Sequence, residues 1–282
     1  MLKETVFHTK ECALNCGEGP PSGPPLVLIH GIASRWQVFL PILPSLCEDR
    51  HVFALDLRGH GSSDRVPGSY ALKSYVSDVV AFVTSSVVEP CVLLGHSMGG
   101  SIALLVAGAI PDRVTGVITG DTPLMPDQGL IPRRLRRLAV HLRLLRPLAG
   151  RPVSEILTRL PARSESNTEL AESLHRTDPE VIDFVCHGRM SKFAVDVNWE
   201  ETLSGVSCSV LLLQASSASG GIATADDIDY GLSILPKASH ALLREAGHDL
   251  GLLTGKSEDL LSATLDFLEL LHDVESHDPH GS

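Results

Sequence analysis

A serine lies in a glycine-rich turn that directly follows an apolar run of the sequence. The motif Gly95-His96-Ser97-Met98-Gly99 comes immediately after the run CVLL at 91–94. Small residues two positions before and after Ser97 permit a tight strand-to-helix turn, because larger side chains there would collide with neighbouring backbone. The turn exposes the serine hydroxyl at a helix N-terminus, where amide dipoles favour developing negative charge. This pattern predicts a nucleophilic serine suited to acyl transfer.

A serine hydroxyl is a weak nucleophile, so the chemistry also needs a general base. The chain contains 13 histidines, and a histidine without context is usually a surface residue. His248 differs because it follows the last strand-like run, within Glu245-Ala246-Gly247-His248. It therefore lies in a loop at a strand end and is the predicted base.

Strands alternate with helices along most of the chain, and most of the strands are continuous apolar runs typical of parallel strands covered on both faces. The predicted strands are 26–30, 51–55, 91–95, 114–120, 209–214 and 239–246, after a possible N-terminal hairpin. The predicted helices between them are 72–88, 97–110, 225–235 and 257–271. This order predicts an α/β fold with a doubly wound, mostly parallel eight-stranded sheet.

The alternation stops between 124 and 205, where no strand is predicted. The helical segments there are 131–146, 153–160, 166–175 and 178–190. An insertion at the carboxyl ends of parallel strands lies over the usual ligand crevice. We therefore predict a core of 1–123 and 206–272, an all-helical lid at 124–205 and a flexible polar tail at 273–282.

The first lid helix is rich in arginine. Six arginines and one histidine, with no acid, lie between Arg133 and Arg146. Leucines alternate with them, which predicts an amphipathic helix with its leucine side packed on the body and its arginines in solvent. Attraction of an acidic substrate and contact with a lipid surface are open alternatives.

Four signatures in order make the chain resemble the α/β-hydrolase superfamily, in its lidded branch of esterases, lactonases and C–C hydrolases. They are His30-Gly31, the run at 56–63 (DLRGHGSS), the serine motif and Gly247-His248. The match covers about 26–122 and 207–271. The resemblance implies Ser97 as nucleophile and His248 as base. It also implies a backbone oxyanion hole formed by Ile32 and Met98.

The triad acid is where the sequence departs from the family pattern. The family's acid usually follows the strand at 209–214, but the segment 215–221 contains no carboxylate. Asp226 and Asp227 come next, in a setting typical of helix capping. Asp121 ends the strand after the serine motif, a position that some lipases and zearalenone-type lactonases use. We favour Asp121, with Asp226 or Asp227 as the alternative acid.

Other residues near these motifs have two interpretations each. Trp36 could line the pocket or pack in the core, and His96 could face the pocket or be structural. The run at 56–63, with Asp56 and Arg58, is expected to brace the sheet edge, as it chiefly does in the family. Asp249, beside the predicted base, is expected to face solvent.

Composition limits the partners. The formal net charge is −11, which disfavours nucleic acid. No stretch approaches the roughly 20 apolar residues of a membrane helix, and the N-terminus does not read as a signal peptide. Six scattered cysteines indicate free thiols in the cytoplasm. Cys12 and Cys16 have no second pair to complete a zinc site, so we expect no metal and no organic cofactor.

The sequence thus predicts a serine carboxylic ester hydrolase acting on a small or medium ester or lactone through an acyl-enzyme. A lactonase, a C–C hydrolase, a perhydrolase or an acyltransferase could use the same residues. A non-hydrolytic binding protein with this fold is the alternative of another class, favoured by the missing acid after 209–214. The serine argues against haloalkane dehalogenase and epoxide hydrolase activity, because those relatives use an aspartate at this position.

Overall fold

A computed structural model describes residues 2–124, 140, 142–160, 165–186 and 197–277. Eight strands form one sheet in the order β1-β2-β4-β3-β5-β6-β7-β8. Their bounds are β1 Lys3–His8, β2 Ala13–Glu18, β3 Pro25–Ile29, β4 His51–Leu55, β5 Cys91–His96, β6 Val114–Gly120, β7 Ser209–Ala215 and β8 Ala238–Leu243. The hairpin β1–β2 joins β4 antiparallel, and all later neighbours are parallel. The predicted doubly wound sheet is confirmed.

Helices cover both faces of the sheet. Their bounds are α1 Leu43–Asp49, α2 Leu72–Ser86, α3 Met98–Ala109, α4 Val153–Arg159, α5 Glu165–His175, α6 Pro179–Cys186, α7 Trp199–Ser204, α8 Ala225–Ile234 and α9 Glu258–His277. Helix α9 continues to His277, past the predicted start of the tail at 273. The residues 278–282 lie outside the described part of the chain.

The two faces of the sheet bury two separate layers of core. On β3, Val27 and Ile29 pack with α2 and α3, whereas Leu26 and Leu28 pack on the opposite layer with α1 and α9. All five residues of β3 are buried. Strands covered on both sides need apolar residues at every position, which is why these runs are continuous instead of alternating.

Helices α4, α5, α6 and α7 lie between β6 and β7, within the predicted insertion. Helix α7, which the sequence did not predict, packs against α3, and there is no room for a Cβ on Gly108 beside the Thr202 backbone. The segments 131–139 and 187–190 of two predicted helices lie outside the described residues. Leu142 and Leu145 of the arginine-rich helix are buried, and Arg143 beside them is exposed.

None of the helices within the described ranges combines the length and apolarity that crossing a membrane would require.

Candidate active site

The turn between β5 and α3 holds Ser97 in a backbone conformation that residues other than glycine rarely adopt, with φ 54° and ψ −118°. A Cβ on Gly95 would overlap the carbonyl oxygen of Gly99, and a Cβ on Gly99 would overlap that of Ile29. The two glycines of the motif are therefore required by the close approach of backbone to backbone. The turn brings Ser97 to the wall of a cavity at the carboxyl ends of the strands.

Asp121 lies at the end of β6, next to the serine turn, and its side chain is fully buried. Its Oδ2 is 2.7 Å from His248 Nδ1. Its two oxygens also accept hydrogen bonds from the backbone N–H groups of Ala215, Ile222 and Ala223, at 2.8–3.2 Å. The carboxylate is thus paired with one imidazole and held by the loop that follows β7.

Burial alone would raise the pKa of Asp121, because desolvation disfavours the charged form. The hydrogen bond and charge of His248, followed by the N–H groups of Ile222 and Ala223, outweigh that effect and lower the pKa below its ordinary value. Asp121 is therefore ionised at neutral pH. An ionised partner at Nδ1 fixes the imidazole tautomer with a bare Nε2.

His248 lies in the loop between β8 and α9, and it lines the same cavity as Ser97. Its backbone carbonyl accepts a hydrogen bond of 2.6 Å from His96 Nε2. His96 also lines the cavity, and its ring centre is 4.9 Å from that of His248. The pocket-facing interpretation of His96 therefore agrees with its position.

The loop after β3 contains Ile32, between two backbone groups that buried histidines hold. His30 Nδ1 donates to the carbonyl of Gly31 at 2.7 Å. His60 Nε2 accepts from the N–H of Ala33 at 3.1 Å. Both imidazoles are completely buried, and desolvation lowers the pKa of His30 to about 4 and that of His60 to about 3. Both rings are therefore neutral at pH 7, as the acceptor role of His60 requires.

Met98 is the first residue of α3, so its N–H belongs to the first turn, where backbone donors have no partner within the helix. Ile32 and Ser97 both line the cavity, and Met98 is the next residue after Ser97 in the chain. The dipole of α3 adds positive potential at this end of the helix. Such an arrangement is suited to holding negative charge that develops on a substrate oxygen.

The cavity has a volume of about 140 Å³. Both the core and the insertion contribute to its wall. Among the described residues, its apolar lining includes Ile32, Ala33, Val38, Leu142, Leu145, Leu170 and Leu253. Asp249 also lines it and is half-buried, its Oδ2 accepting from the Leu253 N–H, so the expectation that it faces solvent is wrong.

The alternative acids lie in the capping structure that their sequence setting indicated. Asp227 and Thr224 form a reciprocal capping box at the start of α8, with Asp227 Oδ2 2.8 Å from the Thr224 N–H. Asp226 is exposed on the first turn of that helix. His248 pairs instead with Asp121.

Trp36 packs in the core, which decides between its two interpretations. Its indole Nε1 donates to Glu4 Oε1 at 2.9 Å, and its ring packs with the layer that contains Phe39. Its backbone N–H donates to Asp56 Oδ1 at 2.8 Å. Val38, two residues later, is the one that reaches the cavity.

The run at 56–63 braces the sheet edge. Asp56 is fully buried and accepts from Asn15 Nδ2 and from the Ser62 N–H. Arg58 forms a bidentate ion pair with buried Asp78, at 2.6 and 2.7 Å. These contacts join the hairpin, the loop and α2, well within the core.

A larger open groove of about 950 Å³ lies on the insertion and includes Arg143 and Arg146. Arg146 is not available to an acidic ligand as a free charge, because it forms a bidentate ion pair with Asp183. Within the described part of the chain, no group of three or more His, Cys, Asp or Glu side chains is arranged to hold a metal ion.

Three backbone N–H groups that hold Asp121, those of Ala215, Ile222 and Ala223, could not be predicted from the sequence, because backbone donors carry no residue signature. Asp249 was not predicted as a cavity residue, although its position beside His248 indicated proximity.

The family model for the alpha/beta hydrolase fold matches residues 24–176, more than half of the chain. The chain therefore belongs to the α/β-hydrolase family.

Similar proteins include several hydrolases. The 2-(acetamidomethylene)succinate hydrolase of Mesorhizobium japonicum is 33% identical over 110 residues, which is 39% of this chain and 40% of that protein. Among solved structures, the N-formylmaleamic acid deformylase of Pseudomonas putida S16 aligns with a TM-score of 0.73 at 24% identity, covering 93% of this chain and all of that one. A thermophilic esterase from Thermogutta terrifontis aligns with a TM-score of 0.73 at 22% identity, covering 96% and 99%. The chain thus spans less than half the length of that curated relative, and the structural likenesses establish the fold.

Proposed function

We propose that this protein is a serine hydrolase that cleaves a small or medium carboxylic ester through an acyl-enzyme. The observation that carries the proposal is the 2.7 Å contact between Asp121 and His248 at a cavity that Ser97 also lines. An ionised carboxylate on Nδ1 leaves Nε2 free to act as a base toward a hydroxyl. A binding protein would have no need of a strained serine turn beside such a pair.

In the proposed reaction, Ser97 Oγ bonds to the ester carbonyl carbon while its proton passes to His248 Nε2. The Ile32 and Met98 N–H groups stabilise the oxyanion. Collapse of the intermediate breaks the bond to the alcohol oxygen, which takes the proton from the imidazolium. Water then attacks the acyl carbon and gives one proton to His248, and the bond to Ser97 Oγ breaks as the imidazolium returns that proton to Oγ, which releases the acid and restores the enzyme. Asp121 remains ionised throughout and stabilises the imidazolium.

The cavity favours a short, uncharged acyl group. Its volume of about 140 Å³ is similar to that of an engineered apolar cavity that holds benzene, so an acyl chain of about six carbons or fewer fits. Of the described residues that line it, Asp249 is acidic and none is lysine or arginine. A substrate that placed carboxylates here, as the relative's name "succinate hydrolase" suggests for that protein, would meet like charge.

Lactonase, C–C hydrolase, perhydrolase and acyltransferase activities would use the same residues, and they remain alternatives within this proposal. Substrate assays separate them. A simple ester reports on acyl-enzyme formation, and addition of an alcohol or amine acceptor reports on acyl transfer. A binding protein would do neither.

The test is turnover of p-nitrophenyl acetate and butyrate, together with labelling by a fluorophosphonate probe. We expect wild type to hydrolyse both esters and to be labelled rapidly. Ser97→Ala should lose both properties while keeping its unfolding midpoint, because the change removes only the hydroxyl. If wild type is neither labelled nor faster than Ser97→Ala, the protein is a non-hydrolytic member of the family.

A further inference from the structure

His96 lies between the nucleophile and the base, and the mechanism above gives it no role. It is the last residue of β5, where its backbone pairs with Gly120 of β6, and only 9% of it is exposed. Its Nε2 is 2.6 Å from the carbonyl oxygen of His248. The side chain therefore joins a strand in the centre of the sheet to the backbone of the catalytic loop.

The loop that carries His248 has little regular structure of its own. It runs from the end of β8 at Leu243 to the start of α9 at Glu258. Leu250 and Gly251 within it have positive φ angles of 54° and 78°. Besides turns within the loop, the Ala246 carbonyl accepts from the Ser216 N–H at 3.0 Å, and the side chains of Leu250 and Leu252 are buried in the core. A residue in such a loop needs tertiary contacts to hold its backbone in one place.

Asp121 holds His248 at only one point, the ring nitrogen Nδ1. A single hydrogen bond lets the ring pivot about that contact if the backbone moves. The His96 contact fixes a second point, the carbonyl next to the His248 Cα. Two fixed points on opposite sides of the Cα–Cβ bond determine where Nε2 lies relative to Ser97.

The hydrogen bond defines the tautomer of His96. A carbonyl oxygen can only accept, so His96 carries its proton on Nε2. Desolvation, followed by repulsion from His248, lowers the pKa of His96 to about 4, so the ring is neutral at pH 7. Its other nitrogen, Nδ1, lies against Gly31 of the oxyanion loop, only 3.1 Å from where a Cβ of that glycine would be. One side chain therefore contacts both loops that flank the nucleophile.

We propose that His96 is a positioning residue, which holds the backbone of His248 so that its Nε2 stays aligned with Ser97. This inference rests on the proposed function. It predicts an effect on the chemical step more than on substrate binding, because misplacing a base by about 1 Å costs on the order of 100-fold in rate.

The experiment compares three substitutions that differ in the reach of the donor. His96→Gln places an amide N–H donor the same number of bonds from Cα as Nε2. His96→Asn places it one bond shorter, and His96→Ala removes it. Each variant is assayed with p-nitrophenyl butyrate, and kcat is divided by the number of active sites that a fluorophosphonate titrates, so that misfolded protein does not count.

We expect His96→Ala and His96→Asn to lose roughly 10- to 100-fold in kcat per active site, with KM changed by less than about threefold. His96→Gln should recover most of that loss. Should His96→Ala fail to fold, the contrast between the Gln and Asn variants decides the matter alone.

Two results would overturn the inference while leaving the proposed function intact. One is a kcat per active site in His96→Ala within about twofold of wild type. The other is equal impairment of the Gln and Asn variants, which would mean that the histidine ring acts by packing. Absence of turnover and labelling in wild type would instead refute the proposed function, and this inference with it.

Discussion

Three histidines, His30, His60 and His96, are buried and neutral, so the folded protein should lose stability in mild acid. Desolvation is the main cause that lowers their pKa values, to about 4, 3 and 4 respectively. In the unfolded chain each would titrate near its ordinary value of about 6.5. As the pH falls below about 6.5, the unfolded state takes up protons that the folded state cannot, so the free energy of unfolding decreases.

The magnitude follows from these pKa values. Between about pH 7.5 and pH 5, each histidine lowers the free energy of unfolding by about 2 kcal/mol, or about 6 kcal/mol together. Burial raises the pKa of Asp56, so the folded state binds this proton more readily than the unfolded chain does, which opposes the effect of the histidines. The lowered pKa of Asp121 acts in the same direction as the histidines, but mainly below the ordinary carboxyl value of about 3.8. Desolvation also lowers the pKa of the exposed His240, which acts in the same direction as the three buried histidines, so the total loss is on the order of 6 kcal/mol.

Urea unfolding followed by circular dichroism at both pH values measures the difference. A fall of several kcal/mol is a large fraction of the usual total of about 5–15 kcal/mol. His60→Gln should reduce the difference by about 2 kcal/mol, because glutamine keeps an acceptor near Ala33 but does not titrate. If the free energy of unfolding changed by less than about 1 kcal/mol between the two pH values, the burial argument for these histidines would be wrong.

Three further predictions concern catalysis. Asp121→Asn should lower kcat on the order of 100-fold or more, while Asp226→Asn, exposed on α8, should not; loss at Asp226 instead would refute the triad assignment. In a series of p-nitrophenyl esters, kcat/KM should rise from acetate and then fall for acyl chains longer than about six carbons. If kcat/KM for the decanoate ester were as high as that for the hexanoate, the cavity of about 140 Å³ would not limit the length of the acyl chain. Arg35 forms a bidentate ion pair with Glu169 on α5, beside Leu170 of the cavity wall, at 2.7 and 3.0 Å. Arg35→Gln and Glu169→Gln should each raise KM roughly three- to tenfold and the double variant no further, whereas multiplicative effects would show that the two side chains act independently.

Much of the core could be predicted from the sequence, because its signals are local. The strand at 114–120 coincides with β6, since a run of apolar residues bounded by turns reports burial on both faces. Ser97 and its turn were predicted because a backbone collision restricts the residues two positions away to glycine. Helix α7 was not predicted, because it has only six residues and is stabilised by packing on α3.

The acid was harder to predict, because proximity between distant segments decides it. Asp121 and Asp227 both follow strands and both precede His248, so their order along the chain cannot separate them. Asp227 forms its capping box with Thr224, three residues earlier, a local interaction that the sequence indicated. Asp121 contacts His248 across 127 residues, through the pairing of β6 between β5 and β7.

Local sequence patterns therefore sufficed to predict the eight strands and most of the helices, the strained serine turn and the histidine after the last strand. Each depends on side-chain periodicity or on sterics within a few residues. By contrast, the folded arrangement is needed to see which carboxylate reaches His248, which backbone groups hold that carboxylate, and which leucines of the insertion line the cavity. Those features depend on the order of strands in the sheet and on packing between segments far apart in the chain, which no local pattern encodes.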